Sequence, residues 1–562
     1  MPVMQRTYQY EEFLYRPSPE EETGEVRRYP VVVVGAGPVG LTAAHDLAYH
    51  GIPVVLIDED NKVSLGSRAI CFDKRALEIF DRLGVVGPME AKGVTWNVGR
   101  VFFREEEVYM FNLLPEEGHA HPAFINLQQY YLEEYLITPL RDQPLVDLRW
   151  LNRLVALETF DDHVRLTVET PQGQYAMEAE WLIAADGAHS TVRKLMGLDY
   201  KGKQFESKFL ITDVVMKNDD FPTERWFWFD PPFNPGFSAL LHKQADDVWR
   251  IDMQLPREAD EEVEQDPERV EKRIRHMLGE DTDFDLEWIS IYRFHSRRMD
   301  RFWHGRVFFV GDAAHIVSPF GARGANSGFQ DVDNLVWKLK LVMEGLASPE
   351  LLETYNQERT YAADENLFHT ETSTEFISPK TPGQHALRNA ILELAREYDF
   401  ARPFINSGRL SKATIYPHSP LSWPDEDEFK CTLAPGAPAA DAPVTVGGQS
   451  DFLTRQVGGR FQGLLFLNRP EDLDAQTLAD LRELAARPVP IETKLVALQP
   501  THRAEYEGLP VLVDVEGLAR ERYDATPGTY YLLRPDQYVT ARWRAFDRSK
   551  VEAAQRHAGR LV

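Results

Sequence analysis

Only two cysteines occur in the 562 residues, Cys71 and Cys431. They stand far apart and outside any Cys-x-x-Cys or Cys/His ligand spacing, so neither a disulfide framework nor a zinc site is indicated, and both read as reduced thiols. Long apolar runs are missing as well: nowhere do 18 consecutive apolar residues occur, and the opening stretch MPVMQRTYQYEEFLYRPSPEEETGEVRRYP has no apolar signal core. A cytoplasmic protein without a membrane span is expected. Basic residues are in deficit, 62 Lys+Arg against 89 Asp+Glu for a formal net charge of −27. Such a field repels phosphate backbones and anionic lipid, so nucleic acid is a poor partner and the acidity reads as a solubilising surface.

What is present is the material of a large core. Hydrophobic residues make up 43% and aromatic residues 11% of the chain, which places it in the globular class. The length calls for roughly two to four domains. Residues 1–29, polar, acidic and proline-containing, are expected to lie on the surface as an N-terminal extension. From Val31, VVVVGAGPVGLTAAHDLAYHGIPVVLIDED reads as strand, glycine turn, helix of about 12 residues and a second strand ending at Asp58, a βαβ unit with a parallel sheet covered on both faces. DKRALEIFDRLG is an amphipathic helix closed by Gly84, and HVRLTVET with QYAMEAEWLIAADG suggests a hairpin feeding a buried strand. From about Gly202 to Arg298 the alternation becomes aromatic (RWFWFD, GFSALLHK, DVWRIDMQL, EWISIYRFH), as in antiparallel strands of an inserted sheet. Between them DPERVEKRIRHMLG reads as a helix with Asp266 as N-cap, Pro267 in the first turn, Val270, Ile274 and Leu278 on one face, and Gly279 after its end. After Gly311 the chain returns to the first domain and a long helix runs through NLVWKLKLVMEGL. Pro424 to Val444 mixes charge with Pro and Ala and reads as a linker. Beyond it a βαβ unit, further strands and a last helix form a small α/β domain.

Gly35, Gly37 and Gly40 form Gly-x-Gly-x-x-Gly directly after the first strand. The first two glycines allow a tight turn and close approach of a pyrophosphate, the third allows helix to pack on strand, and the helix N-terminus supplies N–H groups. Asp58, 23 positions after Gly35, stands at the end of the second strand, where a carboxylate accepts from ribose hydroxyls. Strand, turn, helix and acid together predict a dinucleotide site, which NAD and FAD share.

Two further segments choose between them. AADGAHSTVRKLMG (Ala184 to Gly197) and GDAAHIVSPFGARGANSGFQD (Gly311 to Asp331), in this order after the glycine turn, resemble the motifs that surround FAD in the flavin-dependent aromatic hydroxylases related to para-hydroxybenzoate hydroxylase. The resemblance covers roughly residues 30 to 400. It implies that Gly35, Gly37, Gly40 and Asp58 hold the ADP half of FAD, that Arg68 lies over the pyrophosphate and flavin edge, and that Gln129, or its neighbour Gln128, reaches the ribityl chain. Asp186, Gly187, Ser190 and Arg193 resemble the family's Asp-Gly motif between FAD and the incoming nicotinamide nucleotide. Asp312 is implied to bond the ribityl hydroxyls, Pro319 to fix the backbone between flavin and substrate, and Gly324, Ala325 and Asn326 to present main-chain N–H groups to the flavin ring. The helix beginning near Asn326 would direct its positive end at the reduced ring. Where the family commonly shows Gly-Gly-Gln-Gly, this chain has GARGAN, so Arg323 either places a cation near the ring or points to solvent.

The resemblance implies an α/β fold with a Rossmann-like FAD-binding domain in two parts (30–200 and 299–423, the latter with helices), an inserted, mainly antiparallel β substrate domain (201–298), a linker (424–444) and a C-terminal thioredoxin-like domain (445–562). The tail is similar to that of phenol hydroxylases and relatives of 3-(3-hydroxyphenyl)propionate hydroxylase, notably at YLLRPDQYVTARW. Without Cys-x-x-Cys it cannot exchange dithiols, and a structural or dimer-supporting role follows, which leaves a homodimer open. The implied reaction is hydroxylation of a phenolic ring by O2 through C4a-hydroperoxyflavin, with NADH or NADPH as a transient cosubstrate that needs no second glycine fingerprint. The alternatives are a larger polycyclic or heteroaromatic substrate, including Baeyer-Villiger insertion, and a non-catalytic FAD protein. By elimination the aromatic sheet is the substrate side. Trp226, Trp228, Phe237 and Tyr292 are candidates for its apolar box, and His242 and His295, with Pro319, for the catalytic group. Arg225, Arg250, Arg297 or Arg298 can meet an anionic substrate.

Overall fold

The computed structural model describes residues 7–66, 68–217, 221–405 and 410–562. An uninterrupted valine run has no polar face to turn to water, so the strand Arg27–Val34 demands cover on both sides. It lies at the centre of an eight-stranded sheet, parallel to Gly173–Ala184 on one side and to Val54–Asp58 on the other. Val146–Trp150 and Val307–Phe309 continue the parallel pairing outward, and a hairpin of Arg153–Thr159 and Val164–Thr170 is added antiparallel to Gly173–Ala184. The helices Pro38–Tyr49 and Gly324–Met343 pack on each other over this sheet, and its apolar residues form the largest core of the molecule.

A second eight-stranded sheet faces it. Lys201–Met216, Arg225–Phe229, Ser238–Lys243, Val248–Leu255 and Phe284–Arg298 come from the aromatic stretch. His315–Ile316, Val98–Phe103 and Glu106–Asn112 complete it from outside that stretch, Val98–Phe103 pairing in parallel with Arg225–Phe229. The boundary read at residue 201 therefore omits two strands of this sheet. Their partners lie far along the chain, and local alternation carries no record of a distant pairing. The helix Pro267–Leu278 begins at the Asp266 cap and buries Val270 and Ile274 against this sheet.

The C-terminal sheet is built on Phe461–Leu467, Ile491–Ala497 and Leu509–Val513 in parallel, with the helix Ala475–Ala485 in the first crossover. Tyr530–Leu533 and Val539–Trp543 extend the other edge as an antiparallel hairpin. Trp337, Leu341 and Leu351, from helices of the first unit, belong to the tail's own apolar core. Among the described residues no helix is long and apolar enough to cross a membrane.

Two segments depart from expectation. The N-terminal extension is partly internal: Phe13 stacks on Trp150 at 4.4 Å, Tyr8 packs against Tyr130, and the buried Glu20 pairs with Arg149 at 3.0 Å. Its aromatic residues supply apolar area that its acidic composition conceals. The stretch read as a linker is held on the tail sheet. Asp425 accepts two bonds from Arg542, at 2.7 and 3.0 Å, and the N–H groups of Gly436 and Ala439 bond to Val539 and Gln537. Leu433, Ala437, Ala439 and Ala442 are buried in a second apolar core of the tail, with Leu464, Leu512 and Val539.

Candidate FAD and substrate site

The carboxyl ends of the parallel strands open onto a cavity of about 960 Å³, roofed by the antiparallel sheet. This is where the crossover geometry of a parallel sheet leaves a crevice. Gly35, Ala36 and Gly37 form one end of it. Gly35 has φ +103°, and a Cβ there would meet the carbonyl oxygen of Ala185 at 2.6 Å. A Cβ on Gly40 would lie 1.8 Å from the Gly35 oxygen, so helix and strand touch at backbone distance. At Gly37 nothing stands within 4 Å, and it caps the helix Pro38–Tyr49 without a side-chain bond. The helix N–H groups therefore face open space in the cavity.

Asp58 receives the N–H of Ala36 at 2.5 Å and that of Asp60 at 2.8 Å. Burial outweighs these bonds and pushes its carboxyl up to about 6. Arg68 lines the same wall, and its carbonyl accepts from Arg250 Nη1 at 3.0 Å. Gln129, not Gln128, faces the cavity: its Oε1 accepts from Ala69 N–H at 3.1 Å, while Gln128 turns to the Ala245 carbonyl. Glu133, bonded to Gln129 at 2.8 Å, also lines the wall, and burial lifts its carboxyl to about 7.

In the Asp-Gly motif, Asp186 lines the cavity and accepts from Val192 N–H at 2.9 Å through one oxygen, while the other is buried without a partner. Ser190 caps the short helix that follows. Arg193 turns away to the carbonyls of Ala313 and Ala188 at 2.9 and 2.7 Å and stacks on Tyr200 at 3.6 Å, tying the motif to the Gly-Asp segment. In that segment the Asp312 side chain faces the cavity and its carbonyl accepts from Tyr200. The surrounding protein raises its carboxyl pKa, against the pull of His315 and Arg68.

Pro319 lines the cavity, and the chain turns through Gly321 and Ala322, the latter at φ +54°, into the helix Gly324–Met343. Ser327 is the first to donate back along this helix, so the N–H groups of Gly324, Ala325 and Asn326 precede its ladder. Gly324 and Ala325 line the cavity. The Asn326 side chain is spent elsewhere, donating to the Cys71 and Ala322 carbonyls at 3.0 and 2.6 Å and accepting from Asp73 N–H at 3.1 Å. Arg323 does not reach solvent: it is 4% exposed, lines the cavity and donates to Asn366 at 2.6 Å. Asp331, which the motif reading passed over, holds this corner by accepting from Gly311 N–H, His315 and Arg359 at 2.8, 2.7 and 2.6 Å.

The substrate-side candidates divide. Tyr292, His242 and His295 line the cavity. Trp226 and Trp228 do not: they stack among Phe102, Phe221 and Phe233, whereas their strand neighbour Arg225 faces the cavity. Alternation along a strand sends even and odd positions to opposite faces, so Trp226 and Trp228 share the face opposite Arg225. Phe237 sits in the turn before Ser238–Lys243, away from the cavity wall. The apolar wall is instead Phe209, Ile211, Leu240, Phe294 and Phe320, with Phe294 and Phe320 edge to face at 5.2 Å. Period-two spacing within SKFLITD was the available signal for Phe209 and Ile211. Burial holds His242 neutral, with Arg225 and Arg250 adding to the effect, and burial lowers His295 in the same direction.

The open glycine at position 37, the unpartnered Asp186 oxygen and the free helix N–H groups fit an FAD laid from Asp58 to Gly324. A profile of the FAD binding domain family matches residues 28–369. The 3-(3-hydroxy-phenyl)propionate/3-hydroxycinnamic acid hydroxylase of Escherichia coli K12 is 26% identical over 527 residues, covering 91% of each chain. The flavin-dependent monooxygenase PieE, solved with FAD and substrate, superimposes with a TM-score of 0.75 at 24% identity, over 95% of this chain and 99% of that one. The p-nitrophenol 4-monooxygenase of Pseudomonas putida DLL-E4 gives a TM-score of 0.59 at 27% identity, over 68% of this chain and 100% of that one. The chain therefore belongs to the FAD binding domain family, with FAD as its cofactor, and stands among the flavin-dependent aromatic hydroxylases.

Proposed function

We propose that the protein hydroxylates a phenolic ring with O2 and NADH or NADPH, the ring lying between Pro319 and the wall of the antiparallel sheet. The observation that carries this reading is one continuous cavity joining the glycine turn, the Asp312 corner and the helix N-terminus to Phe209, Ile211, Leu240, Phe294 and Phe320. When bound, the flavin supplies the chemistry: it passes two electrons from the nicotinamide to O2, one oxygen atom enters the ring and the other leaves as water.

The protein's part is to bind, orient and exclude water. Gly35 to Pro38, Asp58 and Arg68 hold the nucleotide half, and Gln129, Asp186 and Asp312 the ribityl region. The N–H groups of Gly324, Ala325 and Asn326 favour negative charge on the reduced ring, as a helix N-terminus does for any anion. Apolar side chains keep the reacting face dry. His242 and His295 stand on the cavity wall as the candidates to take the phenol proton, although burial and the neighbouring arginines lower the pKa of both and so work against the imidazolium form. The tail, which we read as thioredoxin-like, acts structurally.

The test is oxidation of NADH and NADPH by the FAD-loaded protein with a panel of phenols, phenolic acids, hydroxypyridines and polycyclic phenols, hydroxylated product and H2O2 being quantified together. Stimulation by one class, with product matching coenzyme consumed, is the expected result. Flavin reduction that no compound accelerates would sink the hydroxylase reading in favour of an FAD protein without catalysis.

A further inference from the structure

Glu133 is a buried carboxylate in the cavity wall that the chemistry above does not use. It stands one turn along the helix Gln129–Leu140 from Gln129 and is 3% exposed. Among the described residues no Lys or Arg forms an ion pair with it. Both of its oxygens are taken by donors that line the same cavity: Oε2 accepts from the Ser64 N–H at 2.6 Å and Oε1 from Gln129 Nε2 at 2.8 Å. Burial raises its carboxyl to about 7, with these two bonds and the charge of Arg68 pulling the other way. A buried carboxylate without a cationic partner is costly, and a leucine would fill the same helix face without that cost.

What the carboxylate does is fix Gln129 end for end. The Gln129 Oε1 accepts from the Ala69 N–H at 3.1 Å, so its oxygen faces the chain beside Arg68 and its nitrogen faces Glu133. An amide nitrogen carries two hydrogens: Glu133 takes one, and the other is left for a ligand in the cavity. Without the carboxylate the Ala69 bond alone would orient the amide. The same stretch of chain is held once more by the N-terminal extension, where Tyr10 Oη accepts from the Gly66 N–H at 3.2 Å.

We propose that Glu133 is a positioning residue for the cofactor: by holding the Gln129 amide nitrogen it makes Gln129 present an N–H to the ribityl chain of FAD. This rests on the assignment of Gln129 to the ribityl region made above and is independent of the aromatic substrate. Glu133 acts through Gln129 and not on the reacting atoms. In Glu133→Gln a neutral amide meets the same two donors with one oxygen and turns its own NH2 toward the other, so the Gln129 amide is displaced. In Gln129→Leu one of the two donors is gone, and an amide at position 133 can accept from Ser64 without conflict.

The experiment dilutes the FAD-loaded, full-length proteins at about pH 8, where the carboxylate is ionised, and obtains the FAD dissociation constant from the fluorescence of released flavin. Gln129→Leu is expected to raise that constant about tenfold, as the loss of one hydrogen bond to the cofactor does, and Glu133→Gln to raise it by a similar factor. The double variant should bind no more than about twofold weaker than Gln129→Leu alone, because both substitutions remove the same contact. The FAD-free Glu133→Gln protein should melt as the wild type does, since the donor it leaves unmet is offset by the loss of a buried charge. Losses that multiply in the double variant, unchanged FAD binding in Glu133→Gln where Gln129→Leu loses it, or a clear fall in the melting temperature of FAD-free Glu133→Gln would each overturn the proposal. Unchanged binding in Gln129→Leu would overturn the ribityl assignment on which it rests, and proteins that bind FAD as expected here without hydroxylating any phenol would overturn only the hydroxylase reading.

Discussion

A methyl group at Gly40 would sit 1.8 Å from the carbonyl oxygen of Gly35, whereas at Gly37 it would meet nothing within 4 Å. Gly37 also has φ −74°, so alanine there is unstrained. The two positions of one motif thus separate folding from binding. Gly40→Ala forces backbone apart from backbone at a cost of about 3 kcal/mol or more and should yield little folded, yellow protein. Gly37→Ala should keep its melting temperature in the absence of FAD yet bind FAD about tenfold or more weakly, because the added carbon occupies space a pyrophosphate needs. Calorimetric melting and FAD titration of the two apoproteins decide this. The motif was readable as a nucleotide turn. Which glycine serves packing and which serves the ligand depends on what each Cβ position faces.

At the scale of elements, the helix Lys74–Arg82 is fastened at its end by His121. That imidazole, nearly fully buried, lies 3.0 Å from Asp81 and 2.7 Å from Glu90, and Arg455 of the tail joins Asp81 at 2.6 Å. Burial alone would lower the His121 pKa, but the bonds to Asp81 and Glu90 outweigh it and lift it to about 9. A folded-state pKa above the unfolded value of about 6.5 means stability fully present below pH 6.5 and lost as pH rises through 9, by at most about 3 kcal/mol. The melting temperature should therefore fall between pH 6.5 and 9, and His121→Gln should melt lower at pH 6 with little change across that window. A wild-type curve flat over the same range would contradict the clamp. Nothing in GHAHPAF announced this histidine, since its partners come from two different helices. The long helix Gly324–Met343 was legible in outline, but the charges buried within it, Asp331, Asp333 and Lys338, were not. Charged residues read as a solvated face until other elements close over them.

For the whole molecule, those buried charges join the tail to the flavin-binding unit. Lys338 and Arg534 both donate to Glu358, at 2.7 and 2.6 Å, and Arg534 also pairs with Asp536. Arg75 links Asp333 at 2.7 Å to the carbonyl of Asp536 at 2.8 Å. Removing one member of a buried network strands its partners, at about 3–5 kcal/mol. Arg534→Met should lower the melting temperature and release FAD in the same transition, because Glu358 and Lys338 anchor the helix whose N-terminus faces the cavity. Monitoring flavin fluorescence together with circular dichroism checks this, and a variant in which the tail melts first with FAD retained would show the two units to be energetically separate.

The nucleotide turn, the parallel βαβ unit, the aromatic sheet and the small C-terminal α/β unit were all determined by the order of residues, because turn geometry, periodicity and capping act over a few neighbours. Tertiary structure alone decided that Arg225 rather than Trp226 faces the cavity, that Arg323 turns inward to Asn366, that the apparent linker is pinned by Arg542, and that two strands of the antiparallel sheet come from residues 98–112. Those outcomes depend on register between strands distant in sequence and on which charges are shut away from water. Both are set when separate segments compete for one core, and no short window of sequence contains that competition.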